Sequence, residues 1–593
     1  MQYDVVVVGG GHAGCEAALA AARLGRSVAL VTLSRDQLGR LSCNPAVGGL
    51  AKGTLVREID ALGGAMARVA DATTLQFRRL NTRKGLAVQA SRAQVDIDRY
   101  PRRMAAEIAS VAGTLDVVVG EAAELLVRGG WVEGLLLADG TRLGARAVVL
   151  TNGTFLRAVL HQGRESQPGG RVGEGAANAM AVCLARLGLR LGRLKTGTPP
   201  RLDGRTVDWA RLRPQPDTVP GGHFSFTPPT ERLPQRDCFI AFTHEGTHAA
   251  IRASLGDSPM YTGAITGRGP RYCPSIEDKI TRFADKERHQ LFLEPEGLDT
   301  HRIYVNGAST SLPKAAQDAM IHSIEGLEKA VIEQYGYAVE YDFIDPTQLR
   351  PTLELIALPG LYFAGQVNGT SGYEEAAAQG LVAGVNAAGV RLVLGRDEAC
   401  IGVMVDDLTQ RGVGGEPYRM FPSRAEHRLV LREDNADRRL MPMGRDLGLV
   451  SDAAWHRFEA KRDAISSLSL DAPAALRRPD VTAAMLFPDA DPEVAEQVEI
   501  DTKYAGYIAR EAVRQAVTRR LEDVSLEGIV FADLPALSME ARERLTAARP
   551  ATLGAASRVP GVTPAAVSAL TMVLIQLTSS SKVPLPPRIN SLT

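Results

Sequence analysis

The chain shows no excess of either charge, no long apolar run and little cysteine. Lysine plus arginine and aspartate plus glutamate each number 68 in 593 residues. Net charge therefore offers no general attraction to a polyanion, and a nucleic-acid surface has to come from local clustering. No stretch reaches the roughly 18 apolar residues that a membrane helix needs. The six cysteines (15, 43, 183, 238, 273 and 400) lie far apart without a C-x-x-C pair, which argues against a zinc ribbon, a disulfide framework and a paired redox disulfide. Repeats and long low-complexity segments are missing too. A core-type strand begins within the first residues, so no signal peptide is expected and a cytoplasmic location is. The length predicts roughly three to four domains.

What is present begins with YDVVVVGGGHAG, Tyr3 to Gly14. Four consecutive valines read as a parallel strand buried on both faces. Gly9, Gly11 and Gly14 then form G-x-G-x-x-G ahead of an alanine-rich helix that Gly25 can end in a left-handed conformation. In that order, the glycines let the backbone approach a diphosphate, whose charge meets the unpaired N–H groups of the helix start. The second strand, Ser27 to Leu33, lacks the acidic residue that commonly follows it in NAD sites, and Thr32 and Ser34 stand there instead.

From Asp116 to Gly153 the pattern changes to short alternating strands with a turn at Asp139-Gly140, ending in T-N-G. A third piece, LYFAG, reaches Gly365 and Gln366 and leads to a helix starting near Glu374. Three such pieces favour FAD over NAD as the tightly held cofactor. The expected fold class is α/β: a two-dinucleotide-fold, Rossmann-like FAD-binding domain with an inserted α/β subdomain and a C-terminal all-helical domain. The expected boundaries are 1–200 and 266–398 for the FAD-binding domain, 201–265 for the insertion, 399–578 for the helical domain and 579–593 for a flexible tail.

Cys43 lies in a loop with Asn44, Pro45, Gly48 and Gly49, a setting that favours a cofactor-facing site over a packed thiol. Cys273 precedes Pro274 at an expected helix start, placing it near the N-cap position with Arg268, Arg271 and Lys279 close in sequence. Both influences lower a thiol pKa, which makes Cys273 the better thiolate candidate. His244 and His248 are spaced i, i+4, but Glu-Gly-Thr between them is expected to break a helix, and no metal is assigned. Arg78, Arg79, Arg83, Lys84 and Arg92 form a basic cluster that suits a solvated face as well as a phosphate surface. Arg419, Arg424, His427, Arg428 and Arg432 leave the same choice open beside Glu426, Glu433 and Asp434.

The blocks GGGHAGCEAA, LSCNPAVGG, LNTRKG, GRLKTGTPPR, RYCPSIEDKI, DPTQLRPTLE, GYEEAAAQG and EPYRMFPSRAEHRLVLREDNAD resemble the bacterial MnmG (GidA) family across nearly the whole chain. The resemblance implies an FAD protein that installs 5-carboxymethylaminomethyl groups on the wobble uridine (U34) of certain tRNAs. It implies FAD contacts at Gly9, Gly10, Gly11, His12, Ala13 and Gly14, with others at Ala122, Ala177 and Gln366. It further implies a nicotinamide-cofactor (NADH) segment comprising Gly269, Pro270, Arg271, Tyr272, Pro274, Ser275, Ile276, Glu277, Asp278, Lys279 and Phe283. Methylenetetrahydrofolate as carbon donor, glycine or ammonium as nitrogen donor, a homodimer and the GTPase partner MnmE complete the implication. The region between Ser467 and Arg477 is shorter than the family usually shows.

The chemistry has its own logic. C5 of uracil becomes nucleophilic once a thiolate adds at C6, and a low-pKa cysteine suits that step. The family's cysteines match Cys43 and Cys273; both are expected to be required, with Cys273 as the adduct former. Two other readings compete: a folate- and FAD-dependent tRNA uridine methyltransferase, which should lack the helical region beyond residue 400, and a flavin-stabilised RNA-binding scaffold.

Overall fold

Val5 to Val8 form the inner half of β1 (Gln2–Val8) and are 0 to 4% exposed. Their β-branched side chains fill both faces of the sheet, as a parallel strand covered on both sides requires. The structure, a computed structural model, describes residues 1–269 and 274–580. After β1 come α1 (His12–Arg23), β2 (Val28–Thr32), β3 (Leu115–Val119), β4 (Ala122–Arg128), β5 (Trp131–Leu137), β6 (Arg142–Leu150), β7 (Leu361–Phe363) and α2 (Tyr373–Ala387).

The sheet order is β3-β2-β1-β6-β5-β4, with β7 also on β6. β1 runs parallel to β2 and β6, with Val8 opposite Val31 and Leu150. The first residues of β6 pair antiparallel with β5, while its last three pair parallel with β7. Gly140, at φ +88°, makes the expected turn before β6, and Gly25, at φ +75°, follows the end of α1. The carboxyl ends of β1, β2, β6 and β7 thus share one edge, where ligands bind in open α/β sheets.

α1 and α2 cross at backbone contact. A Cβ on Gly380 would lie 2.0 Å from the Ala13 carbonyl oxygen, and one on Gly384 would lie 2.3 Å from that of Ala17. Only glycine permits this approach, and it sets the amino end of α1 against the middle of α2.

A six-stranded antiparallel sheet draws its strands from Arg201–Asp203 through Ile332–Gln334. The inserted body therefore continues well past residue 265, because strands Gln290–Pro295 and Arg302–Asn306 complete its core. Beyond Ala399 the elements are helical. The chain divides into two units, Met1–Lys503 and Tyr504–Thr593. The second has its own core around Leu526, Phe531, Leu545, Leu553 and Leu570. Its last helix, Pro564–Ser580, is capped as expected, with the Ala566 N–H donating to Thr563 Oγ1 at 3.2 Å. Residues 581–593, most of the expected tail, lie outside the described residues. Among the described residues, no helix is long and apolar enough to cross a membrane.

Candidate functional site

The glycine turn after β1 divides its work among three positions. Gly9, at φ +107°, lies so close to Thr151 that a Cβ would come within 2.6 Å of its carbonyl oxygen, and a Cβ on Gly14 would lie 1.8 Å from the oxygen of Gly9. Gly11 has open space in front of it. The first two seal the turn against β6, and the third leaves room at the start of α1. No acidic side chain occupies the first turn of α1, so its N–H groups and positive dipole end are available to an anion.

Gly9 and Gly11 line a cavity of about 670 Å³. Gly9, Gly10, Gly11, His12, Ala13, Ala122, Ala177, Gln366 and Cys43 all reach it, as do Thr32 and Ser34 at the end of β2. Gly14 acts behind the wall, through packing. Sequence reasoning missed Asn152, Arg171 and Tyr373 as lining residues. The T-N-G signal pointed toward Asn152; nothing local marked Tyr373.

Tyr373 joins the parts. Its ring stacks on His12 with centroids 4.5 Å apart, and its phenol oxygen accepts the N–H groups of Cys43 at 2.5 Å and Asn44 at 3.0 Å. The Cys43 carbonyl also accepts from Arg201 at 3.3 Å. Half-buried Cys43 is thus held from both sides at the cavity wall. Burial, with the nearby Arg171 charge, pushes His12 down to about 3, so its imidazole is neutral at physiological pH. Burial raises the thiols of Cys15, Cys238 and Cys400, which keeps them protonated packing groups.

The amino end of α2 carries Glu374 and Glu375, but both are engaged. Glu374 accepts from the Gly48 N–H at 2.7 Å and from Lys52 at 2.8 Å, while Glu375 accepts from the Met420 N–H at 3.0 Å. The acidic pair locks neighbouring segments around the helix start.

The residues present fit a flavin dinucleotide. Asn44 Oδ1, Asn152 Oδ1 and His12 Nε2 are buried without a hydrogen-bond partner among the described residues. Polar atoms in that condition are expensive unless a ligand or water meets them. With the open approach at Gly11, they describe a cradle for a ligand that combines anionic and amide groups.

The nicotinamide segment gives a different result. Gly269, Ser275, Ile276, Glu277, Asp278, Lys279 and Phe283 do not line this cavity. Ile276 belongs to the core of the inserted body, and Glu277 accepts from the Ser311 N–H at 3.0 Å. The helix here spans Ile276–Arg282, capped by Ser275, whose Oγ accepts from the Asp278 N–H at 3.2 Å. The N-cap expected near residue 273 therefore falls at Ser275, a stronger capping residue than cysteine. Pro270, Arg271, Tyr272 and Cys273 lie outside the described residues.

His244 and His248 also depart from expectation. Glu245–Ala253 is a helix; His244 caps it, with Nδ1 accepting from the Gly246 N–H at 3.0 Å, and His248 Nε2 pairs with Thr243 Oγ1 at 2.8 Å. Both rings are spent on local structure. The basic clusters divide. Arg79 pairs with Glu496, Arg92 with Glu294 and Arg432 with Asp434, whereas Arg83, Lys84 and Arg428 are exposed and Arg92 and Arg419 reach the cavity.

Comparison with known proteins adds to this geometry. The family model described as "Glucose inhibited division protein A" matches residues 4–393. Two further models, the "tRNA modifying enzyme MnmG/GidA C-terminal helical domain" and its "C-terminal helical bundle", match 449–512 and 515–586. A tRNA uridine 5-carboxymethylaminomethyl modification enzyme MnmG from Syntrophotalea carbinolica is 50% identical over 96% of this chain and 98% of its own. The protein of that name from Geobacter sulfurreducens is 49% identical over 98% and 99%. The solved structure of Aquifex aeolicus GidA matches with a TM-score of 0.88 at 45% identity, covering 97% of this chain and all of that one.

Proposed function

The chain belongs to the MnmG/GidA family, and on that premise we propose that it is the FAD-dependent enzyme that adds a carboxymethylaminomethyl or aminomethyl group to C5 of the wobble uridine of tRNA. The observation that carries this reading is the meeting of Cys43, the glycine turn and the amino end of α2 in one cavity. When bound, FAD supplies two-electron redox chemistry. The backbone at Gly10 to Ala13 receives its diphosphate, Ala122 and Ala177 stand along the wall, and Gln366 lies at the end beside α2. Tyr373 fixes the Cys43 loop against this cradle.

A thiolate adding to uracil C6 forms an S–C6 bond as the C5=C6 pair moves toward O4, which makes C5 the attacking carbon. Both Cys43 and Cys273 are assigned to the reaction, with Cys273 forming the adduct. A Cys273→Ser protein that still forms a covalent complex with RNA would remove that assignment. The segment Gly269 to Phe283 would hold NADH, which would supply hydride for the flavin, while methylenetetrahydrofolate would supply the carbon and glycine or ammonium the nitrogen. The protein works as a homodimer with the GTPase MnmE.

Nucleoside analysis of tRNA from a strain lacking the gene tests the reading. Loss of the aminomethyl-type wobble product, restored by the wild-type chain, is the expected result. Loss of a 5-methyluridine instead would establish the methyltransferase reading.

A further inference from the structure

A second cavity of about 570 Å³ lies against the first, sharing Arg40, Ser42, Arg171 and Tyr337 with it. Its walls carry six guanidiniums, from Arg35, Arg40, Arg102, Arg171, Arg201 and Arg302, against three carboxylates, from Asp36, Asp98 and Glu296. In the interior, Glu296 is shared between Arg201 at 3.1 Å and Arg302 at 3.2 Å. At the rim, Arg40 meets a carboxylate only at 3.7 Å, and Arg35 spends one N–H on the Val117 carbonyl. Arg102 is exposed and has no hydrogen bond or ion pair among the described residues. Arg171 donates through Nη1 to Gln37 Oε1 at 3.0 Å and to Glu174 Oε1 at 3.1 Å, while its Nε is buried without a partner among the described residues. Arg201 ties this cavity to the Cys43 loop through the Cys43 carbonyl.

We infer that this second cavity binds the phosphodiester groups next to the uridine presented to Cys43, and so positions the RNA strand rather than a cofactor. The inference rests on the function proposed above. Planar guanidiniums grip phosphate oxygens in pairs, and an excess of them in a recess suits a backbone carrying one charge per nucleotide. The shared wall supplies continuity: a base in the first cavity leaves its own phosphates at the entrance to the second. Diphosphate or carboxylates of a dinucleotide or folate would satisfy the same chemistry, so the test separates these sources.

The test measures binding of a short RNA stem-loop with a loop uridine to the FAD-loaded protein over a range of salt, comparing wild type with Arg35→Gln/Arg102→Gln. These two side chains are exposed and outside the first cavity, so folding and flavin retention should be preserved. Each lost phosphate contact lowers the slope of log affinity against log salt by about 0.7 for single-stranded RNA, and the double variant is expected to lose about 1.4. Reduction of the flavin by NADH should stay at the wild-type rate, and methylenetetrahydrofolate should bind as before. An unchanged slope overturns the inference. So does a wild-type slope joined to slower NADH reduction or weaker folate binding, which would assign the arginines to a small anion. Failure of the wild-type protein itself to bind the RNA would instead count against the proposed function.

Discussion

Replacing Tyr373 by phenylalanine isolates one atom of the site. The ring that stacks on His12 stays, and only the phenol oxygen that accepts the Cys43 and Asn44 N–H groups is removed. An amide stripped of its acceptor costs about 1–3 kcal/mol when water cannot replace it. Both residues are half buried, so partial rehydration holds the total loss to about 1–3 kcal/mol for the pair. That loss falls on the loop that carries Cys43, and a displacement near 1 Å there can reduce turnover by about a hundredfold. The variant should therefore retain FAD and melt within a few degrees of wild type, while turnover on tRNA falls by about ten- to a hundredfold. Alkylation of Cys43 by a neutral reagent, followed by peptide mass spectrometry, should become faster as the loop loosens. Wild-type turnover together with wild-type alkylation would refute the role given to this phenol.

Gly14→Ala should yield protein unable to retain FAD, because the new Cβ would sit 1.8 Å from the Gly9 oxygen and force the turn open; desalting after FAD addition checks it, and retained flavin would contradict it. Cys43→Ser should keep the flavin spectrum and lose the modified nucleoside, as read by digestion and chromatography of treated tRNA. His12 titrates near 3 when folded, against about 6.5 when unfolded. Its contribution to stability is thus complete above pH 6.5 and falls by about 1.4 kcal/mol for each unit of acidification toward pH 3. Denaturant midpoints at pH 7 and pH 5.5 should therefore differ more for wild type than for His12→Gln, and parallel behaviour would show that the imidazole is not held neutral.

The sequence disclosed elements whose causes are local. The valine run, the glycine turn, the helix after it and the strand ending at Gly365 each depend on neighbours within a few residues. Relations made across long separations stayed hidden. Tyr373 reaches Cys43 over 330 residues, and the contact of Gly380 with Ala13 is visible only once α1 and α2 are packed. The inserted body extends beyond its expected end because the strands that complete its sheet resemble those of any half-buried sheet. The helix expected near Pro274 begins two residues later because Ser275 outcompetes its neighbours as a cap. His244 shows the converse: its spacing to His248 drew attention, yet its ring is used to start a helix that the intervening Glu-Gly-Thr was expected to break.

Backbone amides at the start of α1 are proposed to hold a flavin diphosphate beside Cys43. The most direct measurement is the visible spectrum of the purified protein after FAD is added and unbound flavin is removed, recorded before and after NADH. Stoichiometric flavin absorbance that bleaches with NADH is the predicted result. A folded protein that remains colourless after FAD addition would contradict it.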